Sequence, residues 1–202
     1  MQVAVTMFDY AMRIDAMPGE QHSGDHGVIQ QREGMLTAVL LDVLGHGDKA
    51  AVLADAVENH LQGCDMTTAE PLDLMMNLHD TFRGSRGLVA SIARIDTDAE
   101  MLEYCGVGNI GVRILGSHAT IMVNRDGVVG YRMVPPRQQH FPFTAHDTLL
   151  MHSDGIKSHF DADIVAQVPQ RSAQVLLDRL FARYVKGIDD AGALVVRVSA
   201  CK

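Results

Sequence analysis

The residues best suited to chemistry in this sequence are aspartates placed where strands should end. In Leu40-Leu41-Asp42-Val43-Leu44-Gly45-His46-Gly47 an apolar run stops at a carboxylate, and two glycines follow within five residues. Glycine lets backbone turn sharply or approach a ligand closely, so such a tip can present an aspartate and nearby main-chain groups to one small site. Comparable placements recur at Asp25 in Ser23-Gly24-Asp25, at Asp154 in His152-Ser153-Asp154-Gly155, and at Asp189-Asp190 ahead of the last apolar run. One aspartate beside a glycine is ordinarily a turn. The weight lies in the repetition.

The elements that must position these groups follow from periodicity. Residues 35–42 predict a buried strand, and residues 27–31 a short strand joined to it through a Glu33-Gly34 turn. Antiparallel pairing of these arms sets Asp25 beside Asp42 at one edge. Residues 2–12 predict a first strand, and residues 48–61 and 71–82 two amphipathic helices. Strands are expected at 88–95, 101–107, 110–115 and 119–123, separated by short turns in the manner of an antiparallel meander, with a loop over 125–139. A strand over 147–152 delivers Ser153 and Asp154, a helix spans 171–184, and a final strand covers 193–198 behind Asp189-Asp190.

At 202 residues the chain is long enough for a full core and is expected to form a single domain, 1–202. Its formal charge of -8, without a cluster of Lys and Arg, argues against nucleic acid as a partner. Three cysteines without metal-type spacing argue against a disulfide framework and for a reducing compartment. No apolar run is long enough to span a bilayer, so a soluble, cytoplasmic protein with no membrane partner is expected.

Taken in order, Ser23-Gly24-Asp25, Asp42-Val43-Leu44-Gly45-His46-Gly47, Ser153-Asp154-Gly155 and Asp189-Asp190 resemble the motifs of the metal-dependent serine/threonine phosphatases of type 2C. Residues 85–92 and 104–109 are similar to the small stressosome phosphoserine phosphatases of the bacterial sporulation-phosphatase branch. The resemblance spans essentially the whole chain. It implies an α+β fold, an α-β-β-α sandwich of two antiparallel sheets flanked by helices. It also implies two Mn²⁺ or Mg²⁺ ions, hard cations that suit oxygen ligands. By position, Asp42 would bridge the ions and the Val43 main-chain carbonyl would help hold one, with Asp154 and Asp189 completing the other. Asp25 would hold metal-associated water, with Asp190, Gly45 and His46 in support. The implied substrate is a phosphorylated STAS-domain regulator in a partner-switching or stressosome-like pathway; the oligomeric state stays open. Many members of the wider family carry an acidic residue just before the position of Asp25 and a phosphate-gripping arginine upstream. Here those places are Gly24 and Glu20, leaving Arg86 and Arg113 as substitutes to be placed.

Other readings use the same residues. His22, His26 and His46 would suit a zinc hydrolase if they converged, but they lack compact ligand spacing. His152 beside Ser153 and Asp154 invites a nucleophilic triad, without the strained elbow such a serine needs. Gly106-Val107-Gly108 is too short for a dinucleotide loop. A binding module of the same fold that recognises a phosphoregulator without hydrolysing it is the principal alternative to an enzyme.

Overall fold

In the computed structural model, which describes residues 7–160 and 171–199, the chain runs β1 (Met7–Asp15), β2 (Asp25–Arg32), β3 (Met35–Val43), α1 (Asp48–Gln62), α2 (Pro71–Thr81), β4 (Leu88–Asp96), β5 (Met101–Val107), β6 (Gly111–Leu115), β7 (Thr120–Ile121), β8 (Gly127–Val128), β9 (Arg132–Met133), β10 (Gln139–Pro142), β11 (Thr148–His152), α3 (Ala173–Tyr184) and β12 (Ala191–Ser199). Two antiparallel five-stranded sheets result, ordered β1-β12-β11-β6-β7 and β10-β5-β4-β3-β2.

The alternation of side chains along the strands explains the layering. On β3, Leu36, Ala38 and Leu40 face the other sheet, while Val39, Leu41 and Val43 face α1 and α2. Both faces are covered, which is why this segment reads as an almost unbroken apolar run rather than an alternating one. On the second sheet, Leu149, Met151, Leu194 and Val196 join the layer between sheets, and Leu150 and Val195 pack with Leu176, Leu177 and Leu180 of α3. Each fully buried leucine, such as Leu36 and Leu40, contributes about 2 kcal/mol through removal of apolar surface from water. The α-β-β-α sandwich is therefore built from three apolar layers, with helices on both outer faces. No helix among the described residues is long and apolar enough to cross a membrane.

Helix boundaries follow local chemistry. Pro71 opens α2 where its missing amide has no partner to lose, and the Ser172 side chain accepts from Val175 N at the start of α3.

Several expectations are corrected. Residues 88–115 do not form one meander: β4 and β5 pair in the first sheet, whereas β6 pairs with β11 in the second. The turn through Asn109 thus crosses between sheets. Residues 119–123 contribute only the two-residue β7, and the expected loop over 125–139 contains the β8-β9 hairpin. Strand β10 was not expected; it is a half-exposed edge strand ending in proline, so it carries little apolar signal. Of the expected first strand, residues 2–6 lie outside the described residues.

Candidate functional site

The strand parity that builds the core also aims the aspartates. Asp42 shares a face with Leu36, Ala38 and Leu40, so it points between the sheets at the end of β3. Asp25 is its direct antiparallel partner, and the two-residue period carries Asp25 to the same face while His26 turns outward toward α1. On the opposite sheet, β11 ends at His152, paired with Ala193 of β12. Asp154 lies just beyond that end, and Asp189-Asp190 lie just before Ala191. All five carboxylates therefore meet at one end of the sandwich.

Asp25 is the most enclosed of them, at 1% exposure. Gly192 on β12 makes the approach possible: a Cβ there would stand 3.1 Å from Asp25 Oδ2. The Ser153 hydroxyl oxygen accepts from Gly192 N at 2.9 Å, and the same hydroxyl interacts with the Asp25 carboxylate of the other sheet. Asp25 Oδ2 itself is buried without a hydrogen-bond partner. Asp190 is also buried and is fully engaged, accepting from Met17 N and Gly24 N, each at 2.7 Å. Its role is to fasten the β1-β2 connection to β12. Asp189 is exposed and accepts from Asp190 N at 2.9 Å. Asp154, half-buried, accepts from Asn109 Nδ2 at 2.9 Å.

The electrostatics record this crowding. Burial pushes Asp25 up to about 7, with repulsion from Asp190, Asp154 and Asp189 adding to it against the Ser153 hydrogen bond. Burial pushes Asp42 up to about 8, and Asp25 is the largest repulsive neighbour. No cationic side chain figures among the causes of either shift. Carboxylates gathered without an ion-pair partner among the described residues, one oxygen orphaned, form a donor set that fits hard cations.

The backbone beside the site is equally constrained. Gly24 has no room for a side chain, since a Cβ would lie 3.0 Å from Ala50 Cβ and from Gly45 O, and 3.2 Å from the Val43 carbonyl. That carbonyl thus lies beside Gly24, next to Asp25 and Asp42. Gly45, at φ 88, turns the chain just past Val43, and the exposed His46 ring meets Glu20 Oε1 at 3.0 Å.

The histidine alternatives dissolve into separate pairings. His22 meets Asp48, His46 meets Glu20, and His26 meets Glu58 at 2.7 Å and Asp55 at 3.5 Å. His26, Asp55 and Glu58 are a three-residue group whose ligand atoms lie within 4.8 Å of one another, on the outer face of the sheet beneath α1 rather than between the sheets with Asp25. His152 Nδ1 bonds the Ser153 carbonyl rather than its hydroxyl, so no serine-histidine relay exists there. Ser153 and Asn109 are the contributors that sequence reasoning left unassigned. Ser153 continues the inward-outward alternation of β11, a usable signal; Asn109 is recruited only by the crossing between sheets.

Comparisons with known proteins agree with this fold. The family model described as stage II sporulation protein E (SpoIIE) matches residues 32–199. No curated protein matches the chain by sequence. A chain from a structure of the bacterial stressosome, described as a modular system adapted to control secondary messenger signalling, has a TM-score of 0.86 at 25% identity, covering 95% of this chain and 100% of that one. RsbX in complex with magnesium gives 0.82 at 16% identity, over 95% and 96%. The PP2C phosphatase domain with part of the regulatory domain of SpoIIE from Bacillus subtilis gives 0.78 at 16% identity, over 99% of this chain and 65% of that one. The chain belongs to the SpoIIE family.

Proposed function

We propose that this protein is a Mn²⁺- or Mg²⁺-dependent phosphoserine/phosphothreonine protein phosphatase whose substrate is a phosphorylated STAS-domain regulator in a partner-switching or stressosome-like pathway of the cytoplasm. The observation that carries the reading is the convergence of Asp25, Asp42, Asp154 and Asp189 at one end of the sandwich, with Asp25 and Asp42 held above the ordinary carboxylate range. The magnesium complex of RsbX, a protein of the same fold, supports the choice of ion. Asp42, Asp154, Asp189 and the Val43 carbonyl would hold the ions. Two divalent ions at such a site would supply an activated water near neutral pH and neutralise phosphoryl charge.

The chain's own residues do the rest. Asp25, fixed by Ser153 and enclosed by Gly192, is oriented to accept hydrogen bonds from water in the site. Asn109 orients Asp154 by donating to Oδ2. Asp190 and Gly45 hold the backbone around them. Placing the substrate phosphate among these groups needs no covalent nucleophile, which fits the absence of a serine-histidine contact at Ser153.

The test is Mn²⁺-dependent hydrolysis of p-nitrophenyl phosphate and of phosphorylated STAS protein, abolished in Asp42→Ala and Asp154→Ala. No turnover with either metal would overturn the enzymatic reading. Tight phosphoprotein binding without phosphate release would then establish the binding module in its place.

A further inference from the structure

A dianionic phosphate held for in-line attack gains most from a guanidinium, whose planar fork donates two parallel hydrogen bonds as well as charge. The loop through Gly45, His46 and Gly47 follows Asp42 and Val43, and the charged side chains beside its two glycines differ in sign. Beside Gly47 lies Glu20, with Oε2 3.0 Å from the point that a Cβ on Gly47 would take and Oε1 3.0 Å from His46 Nδ1. That carboxylate repels phosphate. Beside Gly45 lies Arg86, with Nη2 3.2 Å and Cζ 3.6 Å from the point that a Cβ on Gly45 would take.

The backbone carrying Arg86 is fixed from both sides. Leu44 N donates to Gly87 O at 3.1 Å, directly joining the aspartate-bearing turn to the arginine-bearing one. Gly84 N donates to Gly130 O at 2.8 Å, and Ser85 Oγ accepts from Gly87 N at 3.2 Å. Arg86 is exposed and has no carboxylate partner among the described residues. Arg113 is differently placed: it donates to Ser158 O at 2.8 Å and lies 4.4 Å over the Phe160 ring. It is also paired across from Leu150, on the face of its sheet that packs against α3. Of these two arginines, Arg86 is the one left without a carboxylate or ring contact among the described residues.

We propose that Arg86 binds the phosphoryl group of the substrate beside Gly45. The assignment rests on the phosphatase reading, but its closing experiment separates the two. Inorganic phosphate is titrated by calorimetry into wild-type, Arg86→Ala and Arg86→Lys proteins in saturating Mn²⁺, and each is assayed on p-nitrophenyl phosphate. Arg86→Ala is expected to weaken phosphate binding and raise KM by roughly 10- to 100-fold, the worth of a charge-assisted hydrogen-bonded pair. Arg86→Lys recovers part of the loss, and Mn²⁺ affinity stays unchanged in both variants. Phosphate binding that is absent in the wild type, or equal in wild type and Arg86→Ala, overturns the assignment. Arg86-dependent binding without turnover upholds it while removing the enzymatic reading.

Discussion

Replacing Asp42 by asparagine should stabilise the metal-free protein at pH 8 and remove its response to metal. In the folded chain Asp42 is pushed from 3.8 up to about 8 by burial and by Asp25. The folded state therefore keeps a proton that the unfolded chain has released, so stability falls as pH rises from about 4 and levels off only above about 8. At ~1.4 kcal/mol per pH unit the full shift corresponds to roughly 5 kcal/mol across that window. Asparagine removes the charge but leaves an amide to be accommodated, at a cost of about 1–3 kcal/mol. The net gain at pH 8 is then about 2–4 kcal/mol, or a Tm rise on the order of 5–15 °C for a chain of this size.

Near pH 4.5 the wild-type carboxyl is itself neutral, and the variant should melt at or slightly below the wild type. Thermal melts in EDTA at the two pH values measure the difference. Added Mn²⁺ offsets most or all of that advantage at pH 8. Ions binding at a hundredfold excess over Kd stabilise the wild type by about 2.7 kcal/mol and leave Asp42→Asn unmoved. Equal destabilisation of the variant at both pH values in EDTA would refute the claim that uncompensated charge is concentrated there.

Three further outcomes follow from the same geometry. Asp147 works with the opposite sign: its buried carboxylate accepts from His118 N, His118 Nδ1, Thr144 N and Thr144 Oγ1 and is held below the ordinary range by these bonds, against its burial. Its contribution is therefore complete above the unfolded value of 3.8 and lost as pH falls through the lower folded value; Asp147→Asn should cost about 2–3 kcal/mol at pH 7 and flatten the acid limb in urea titrations at pH 2–6. Gly24→Asp, which reinstates the acidic residue common in the wider family, should destabilise by about 1–3 kcal/mol because its Cβ meets Ala50 Cβ and Gly45 O at 3.0 Å; a melt showing no loss would contradict that packing. Asn109→Ala should weaken Mn²⁺ affinity about 10- to 100-fold by freeing Asp154 to rotate, with an unchanged Tm in EDTA, as read by calorimetry.

What could be read from the sequence was whatever depends on neighbours along the chain. The β2-β3 hairpin is local: a turn at Glu33-Gly34 and alternation on either side fix the register, and Asp25 falls opposite Asp42 as expected. The same parity, carried one residue further, sends His26 to α1 and explains why the nearby histidines do not share a ligand site. The passage from β5 to β6 was illegible for the converse reason. Strand, glycine turn and strand look alike whether the second strand folds back onto the first or crosses to another sheet. Only the burial of Val112 and Ile114 against Leu36 and Leu40 decides between them, and that burial involves residues far away in sequence. Asn109, sitting at that crossing, was unassigned on the same account.

The crossing also explains why the site lies where it does. Between the sheets the inward positions are mostly apolar, with Ser91 satisfied by the Tyr104 hydroxyl, until the strands run out and the inward face loses its partners. Carboxylates are tolerable only at such a boundary, where solvent or cations can reach them. Asp42 takes the last inward place on β3, Asp25 the first on β2, and Gly192 on β12 supplies the gap into which Asp25 fits. Arg86 and Glu20 stand one step further out, beyond the apolar layer, where charge costs little. In the proposed phosphatase, that ordering would let Arg86 meet a phosphate in solvent before it reaches ions held by the acids.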